Sequence, residues 1–419
     1  MLNINPMIKA VAFCVLTLFA WPAAALTVPI TAAFTPDAAN PSAVRFKNTT
    51  PVTGICAHVQ YSAFCRSKNL FSINTPILFN STGPIVAHHT NPRQGAMLQV
   101  RSGWKDLPVT AATGETEILR FRITGISSTY KSPVPIYELV PGAISNLDAH
   151  QKLWGGGPQG DWNWAPRPCT ETGSVAVPWP AQYLWFWLTP VDGLCAKTAY
   201  FDIPELQYYA FDFAYELQTP NPLGMTAGVY TGNLAIALGP GGDVDMGDVM
   251  LPDDSVIQLV FTLDVDHVFR VQIPPGGDAI DLVPEGGWQA WLQHRRTPER
   301  LFRDQTFSLG TSTAFKMQML CSQPMGDTCG VSNSAGDKVP LKVSVTLPFG
   351  LTDPSGQGIR RRPLLMSGHG TEKFIPSQYI DHKPGTLHFE ITKADVQDML
   401  GRDNGTYSGT VTVIWDTEI

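Results

Sequence analysis

A nine-residue phrase occurs twice in this chain: residues 228–236 read GVYTGNLAI and residues 405–413 read GTYSGTVTV. Both fit G-x-Y-[ST]-G-x-[LV]-[AT]-[IV]. Apolar residues alternate after the second glycine, which is the two-residue period of a strand with one buried face. A turn-into-strand unit repeated 177 residues later predicts two related domains, each ending in the same element. The tyrosine suits a buried ring whose hydroxyl finds a backbone partner. The glycines suit turn positions that a side chain would obstruct.

The rest of the chain agrees with a β architecture. Residues 257–273 (IQLVFTLDVDHVFRVQI) read as one long strand with Phe261, Leu263, Val265, Phe269, Val271 and Ile273 on one face, and residues 341–347 (LKVSVTL) repeat the alternation. Helical periodicity is confined to residues 393–400 (KADVQDML). The 37 glycines and 35 prolines are dispersed, as in many short strands joined by turns, and an all-β sandwich follows. Gly239-Pro240-Gly241-Gly242 reads as the exit from the first domain, with the boundary near residues 250–254.

Residues 10–21 (AVAFCVLTLFAW) form an apolar run too short to span a bilayer, and Pro22-Ala23-Ala24-Ala25 offers the small residues a signal peptidase needs. Residues 1–25 are therefore read as a secretory signal peptide, removed together with Cys14. Six cysteines remain in three sequence-local pairs. In an oxidising compartment they predict the disulfides Cys56–Cys65, Cys169–Cys195 and Cys321–Cys329. No C-x2-C spacing favours zinc, and no metal or cofactor is expected. Charged residues make up 16% of the chain and net charge is −7, so the basic footprint of a nucleic-acid binder is missing.

The second copy of the phrase leads into Tyr407, Val411, Val413 and Trp415 on one face, followed only by residues 416–419. With no partner strand next in sequence, this domain is expected to lack one edge strand and to leave an apolar groove open to a strand from elsewhere. The two-domain layout, residues 228–248 (GVYTGNLAIALGPGGDVDMGD), the strand 261–271 and the ending 405–419 (GTYSGTVTVIWDTEI) together resemble the minor tip subunits of chaperone–usher fimbriae. The class 5 (alpha-clade) adhesins and cable-pilus initiator subunits are the group resembled. The resemblance implies two immunoglobulin-like domains in tandem, an adhesin domain over 26–250 and a pilin domain over 251–419. It implies a subunit that initiates fibre assembly at a pilus tip on the cell surface and adheres to a host glycan or protein receptor. Donor-strand complementation would join it to the fibre, with a periplasmic chaperone, an outer-membrane usher and a major pilin as partners. Val411, Val413 and Trp415 would line the acceptor groove, and the Ile419 carboxylate would anchor the chaperone. Leu26, Val28, Ile30, Ala32 and Phe34 also alternate, and leave open a donor strand that would place the protein inside the fibre.

Residues 154–164 (WGGGPQGDWNW) hold three tryptophans among glycines, and six of the eleven tryptophans lie between Trp154 and Trp187. Trp154, Trp162 and Trp164, with Asp161, Asn163 and Arg167 as polar partners, suit a sugar or protein receptor. The competing expectation is that the rings fill the core, as residues 183–188 (YLWFWL) are expected to. His88-His89 near Arg93 and the run Arg360-Arg361-Arg362 read as surface features. Asp264, Asp266 and His267 are divided by alternation, and Asp243, Asp245 and Asp248 lack the spacing of a calcium loop. No G-x-S-x-G, H-E-x-x-H or phosphate loop occurs, so no enzyme is expected. The alternatives are a secreted β-sandwich carbohydrate-active enzyme, with Asp161 and Glu171 nearest its cleft, and a structural fibre subunit that binds nothing outside the fibre.

Overall fold

The computed structural model describes residues 25–294, 297–402 and 405–417. The expected leader up to Ala24, Cys14 included, and Ile419 lie outside the described residues. The chain is mostly β, and among the described residues its strands gather around two large cores, with a smaller cluster about Tyr61 and Phe186.

In the first unit a long sheet runs through Gln207–Gln218, Thr116–Lys131, Lys105–Ala111, Gly228–Ala237, Val256–Val265 and Leu26–Phe34. Phe121 and Phe261 stand three strands apart on this path, about 14 Å on a flat sheet. Their rings nevertheless meet edge-on at 5.7 Å, so the sheet curls around the core it encloses. A smaller sheet of Gly193–Lys197, Ala96–Val100 and Val244–Asp245 adds Leu98, Val100 and Val244 to the same core. The second unit is built on Leu301–Thr311, Ile380–Ile391, Lys338–Thr346 and Thr328–Ser332, with Phe269–Gln272 alongside Leu301–Thr311. Opposite lies the pair Lys316–Cys321 and Val411–Asp416; Phe307 and Trp415 meet between the layers at 5.0 Å. The helix expected over 393–400 is present as Lys393–Leu400, and all three expected disulfides form. Among the described residues no helix is long and apolar enough to cross a membrane.

The first core extends past the expected boundary at residue 250. Val256–Val265, the closing strand, pairs antiparallel with Gly228–Ala237 from Val265 opposite Gly228 to Val256 opposite Ala237. On its other side it runs parallel to Leu26–Phe34, the leading strand. Ile257, Leu259, Phe261, Leu263 and Val265 are all buried in the first core. The single strand expected over 257–273 is therefore two strands, divided at residues 266–268. The physical reason is that the two sides of the break bond different units. The Asp266 amide donates to the Phe34 carbonyl, whereas Val268 exchanges hydrogen bonds with Ser312. The leading strand is also settled: Val28, Ile30, Ala32 and Phe34 are buried in the chain's own first core, so the strand completes its own domain.

The repeated phrase has a structural meaning that differs from the expected one. A Cβ on Gly232 would lie 2.5 Å from the Pro108 carbonyl oxygen, and one on Gly409 would lie 2.8 Å from that of Gly330. The second glycine of each copy thus permits close approach to a neighbouring backbone, with no turn involved. Tyr230 is buried, and its hydroxyl accepts from the Thr226 amide and donates to the Thr226 carbonyl.

Candidate functional site

Two features of the fold carry candidate functional geometry, a cleft in the first unit and, in the second, a strand that pairs on one side among the described residues. The cleft rests on the tryptophan-rich loop. The strand Gln182–Leu188 is covered on both sides, as its continuous apolar sequence predicts. Tyr183, Trp185 and Trp187 face the main core, and Phe186 packs against Tyr61 near the Cys56–Cys65 disulfide. Trp162 is 1% exposed. It stacks on Trp187 with centroids 5.0 Å apart and touches Tyr130 at 4.8 Å and Trp185 at 5.4 Å. Its carbonyl accepts from the Trp187 indole at 2.9 Å.

Four of the six expected receptor residues are therefore structural. Trp154 and Trp162 are core, because an indole in this cluster gains several aromatic contacts that solvent cannot offer. Asp161 is buried and accepts from the Tyr183 hydroxyl at 2.6 Å, the Asn163 amide at 2.8 Å and Gln151 Nε2 at 3.2 Å. Asn163 spends both ends of its amide on the backbone of Ala176, at 2.7 and 3.1 Å. Beneath them His150 is bonded to the Tyr130 hydroxyl and donates to the Trp179 carbonyl at 2.7 Å; burial pushes its pKa down to about 4. This buried network fixes the loop, since an unpaired polar group here would be costly.

The outer surface of the same loop lines a cleft. Trp164 is 53% exposed and Tyr200 47%. With Arg167, Glu171, Lys197 and one edge of Trp154 they line a cleft of about 490 Å³. The Cys169–Cys195 disulfide ties together the segments that carry Arg167 and Lys197. His88 stands edge-on to the Tyr200 ring at 4.7 Å, beside the cleft. Tyr200 and Lys197 were invisible as site residues in the sequence; the one available signal was that Lys197 lies two residues after Cys195, on the strand the disulfide ties to the loop. Of the two carboxylates near the loop, only Glu171 lines the cleft.

In the second unit, Val411–Asp416 pairs antiparallel with Lys316–Cys321, from Val411 opposite Cys321 to Asp416 opposite Lys316. Among the described residues no strand pairs with its other edge. Val411, Val413 and Trp415 share the expected apolar role but are only half-buried. So are Phe269, Val271, Ile280 and Leu282, from the opposite end of the unit's sequence.

The remaining charged clusters are paired. Arg93 bridges Asp245 at 3.0 Å and Asp248 at 2.7 Å, and Lys105 meets Asp243 at 2.7 Å, so the acidic segment is ion-paired to basic side chains. Arg362 meets Asp353 at 2.7 Å. His267 sits in the link between the units: Nε2 donates to the Met225 carbonyl at 2.9 Å, and Nδ1 lies 3.0 Å from Ser312 Oγ.

No family model matches the chain, and no curated protein matches it. Among solved structures it is similar to a chaperone–tip adhesin complex of CFA/I fimbriae, with 9% identity, 94% of this chain and 97% of that chain covered, and a TM-score of 0.22. It is likewise similar to the CsuC–CsuE chaperone–tip adhesion subunit pre-assembly complex from the archaic chaperone–usher Csu pili of Acinetobacter baumannii, with 8% identity, 94% and 98% coverage, and a TM-score of 0.21. Likenesses at this level do not define a shared fold, and the function rests on the chain's own geometry.

Proposed function

We propose that this protein is an exported two-domain subunit of a chaperone–usher surface fibre, adhesive through its first unit and joined to the fibre through its second. The observation that carries this reading is the last strand. Among the described residues Val411–Asp416 pairs with a strand on one side only, Lys316–Cys321, and Val411, Val413 and Trp415 are left half-buried. A strand from a chaperone, and later from a neighbouring subunit, would pair the other side and bury that row. The first unit needs no such partner, because the leading strand already lies beside its closing strand. This favours a tip position over one inside the fibre.

The exposed faces of Trp164 and Tyr200 support adhesion through the cleft. A carbohydrate-active enzyme would need two carboxylates across the bound sugar. Asp161 is engaged beneath the surface by Tyr183, Asn163 and Gln151, which leaves Glu171 as the one acidic residue of the cleft lining among the described residues.

The test is thermal unfolding of the full chain, alone and with an alternating apolar strand linked after residue 419. The expected result is a second-unit transition that is weak alone and rises by more than about 10 °C with the added strand, equivalent to several kcal/mol for a domain of this size. A second unit already cooperative and indifferent to the added strand would remove the fibre reading. Adhesion is tested separately with Trp164→Ala, since Trp162→Ala would damage the core: fibres that assemble normally but no longer adhere are expected.

A further inference from the structure

One residue of the cleft lining is a buried lysine. Lys197 ends the strand Gly193–Lys197, is 5% exposed and lies beneath the loop. Its ammonium donates to the carbonyls of Gln159 at 2.6 Å and Asp161 at 2.9 Å. Both acceptors are uncharged, and an ammonium has three donors. Among the described residues Lys197 forms no ion pair; the carboxylate of Asp161 is turned instead to Tyr183, Asn163 and Gln151. A buried ammonium without a counter-ion is an unfavourable arrangement. Burial pushes its pKa down to about 8, against a smaller opposing pull from the Asp161 charge.

Arg167, at the rim, also makes no ion pair among the described residues. The cleft lining therefore sets two cations against the one carboxylate of Glu171. With Asp161 acting on Lys197 only from beneath and forming no ion pair with it, a lining that holds more cations than carboxylates suits an anion. The neighbouring groups say what carries the negative charge. Trp164 and Tyr200 offer the flat, half-exposed aromatic faces on which the C–H face of a sugar ring stacks, and Gln159, Thr198 and Glu171 offer polar groups to its hydroxyls.

We propose that the cleft binds a glycan through an acidic sugar residue, with the sugar carboxylate seated against Lys197 and Arg167 and the ring laid on Trp164. The inference rests on the reading of this cleft as the receptor site. It adds the chemical class of the receptor and gives Lys197 the role of counter-ion.

The experiment compares sugar pairs that differ only by a carboxylate in place of a hydroxymethyl group. The methyl glycosides of glucuronic and galacturonic acid are titrated into the full chain against those of glucose and galactose, by ligand-detected NMR. The expected result is a preference of at least about tenfold (one factor of ten in the dissociation constant) for the acidic member of a pair. Lys197→Met and Arg167→Gln should each reduce that preference to under about threefold, while Trp164→Ala weakens both members alike. Arg167→Gln lies at the rim and serves as the second variant where Lys197→Met disturbs folding, which circular dichroism checks. Binding of both members without preference, or a preference that survives both substitutions, overturns the acidic-sugar inference and leaves the receptor cleft standing. Preference for a carboxylate-terminated peptide over every glycoside also overturns it. Binding of no probe, together with unchanged cell adhesion in Trp164→Ala, overturns the cleft and the inference together.

Discussion

The two units carry the same nine-residue phrase and finish it differently. In the first, the phrase opens a ten-residue strand flanked on one side by Lys105–Ala111 and on the other by Val256–Val265. In the second, the strand is six residues long, and Lys316–Cys321 is its one strand partner among the described residues. Tyr230 is fully buried, whereas Tyr407 is half-buried and accepts one long hydrogen bond from Asn333, at 3.4 Å. The position that the closing strand fills in the first unit has no counterpart in the second among the described residues. One motif therefore docks with a strand on both sides in the first unit and, among the described residues, with a strand on one side in the second. The ring and glycine positions specify where the strand docks, and the neighbouring strand decides how far the core is covered.

The largest effect that would sharpen this contrast is expected from charge in the leading strand. Ile30→Asp places a carboxylate in the sealed core and should cost more than about 4 kcal/mol, enough to abolish the first-unit transition in calorimetry while the second persists. Val413→Asp, at the half-covered position, should do much less to the lone chain but remove most of the stabilisation conferred by an added strand. Equal damage from the two substitutions would break the comparison.

Next come the paired glycines. Gly232→Ala and Gly409→Ala each push a methyl group toward a neighbouring carbonyl and should each cost about 1–3 kcal/mol in the unit that carries them. Sensitivity in one copy alone would mean that the two phrases do not dock alike.

A pH contrast is smaller and specific to the first unit. Burial pushes Asp212 up to about 7, against hydrogen bonds from Asn74 and the Ile55 amide. The folded state then holds a proton that the unfolded chain releases until near pH 4, so this group adds stability as pH falls from 7 toward 4. The gain is at most about 4 kcal/mol by the usual 1.4 kcal/mol per unit. His150, held neutral by burial, acts in the opposite sense, removing stability as pH falls from 6.5 toward 4. The difference in denaturation midpoint between Asp212→Asn and the parent should therefore change between pH 7.5 and 5. A constant difference would show that Asp212 titrates normally.

The smallest effect is expected at the link. His267→Ala removes the contacts to Met225 and Ser312 and should cost about 1 kcal/mol, read as wider separation of the two unfolding transitions.

Much of this was legible in the residues. Alternation in 257–265 and 341–347, the local cysteine pairs and the helix at 393–400 are written in short-range patterns, and the structure follows them. The break at residues 266–268 was not, because Phe269 and Val271 continue the same two-residue period while packing on a different core. Periodicity reports that a face is apolar and is silent on which core receives it. The tryptophan loop shows the same gap. Trp162 and Trp164 are two residues apart and chemically identical, yet one is stacked under Trp187 and the other faces solvent; only the partners brought by strand Gln182–Leu188 distinguish them. Lys197 was hidden for a related reason, since nothing local marks a lysine whose acceptors are carbonyls 36 and 38 residues earlier.

The short link at residues 266–268 also determines how the molecule bears load. The part of a pull on the second unit that follows the chain enters the first at Val265 and travels back along the closing strand, which is laced to Gly228–Ala237 on one side and Leu26–Phe34 on the other. Tension along that strand shears both ladders at once, so their hydrogen bonds share the force and do not open one after another. The element that seals the first core is thus also its anchor under traction.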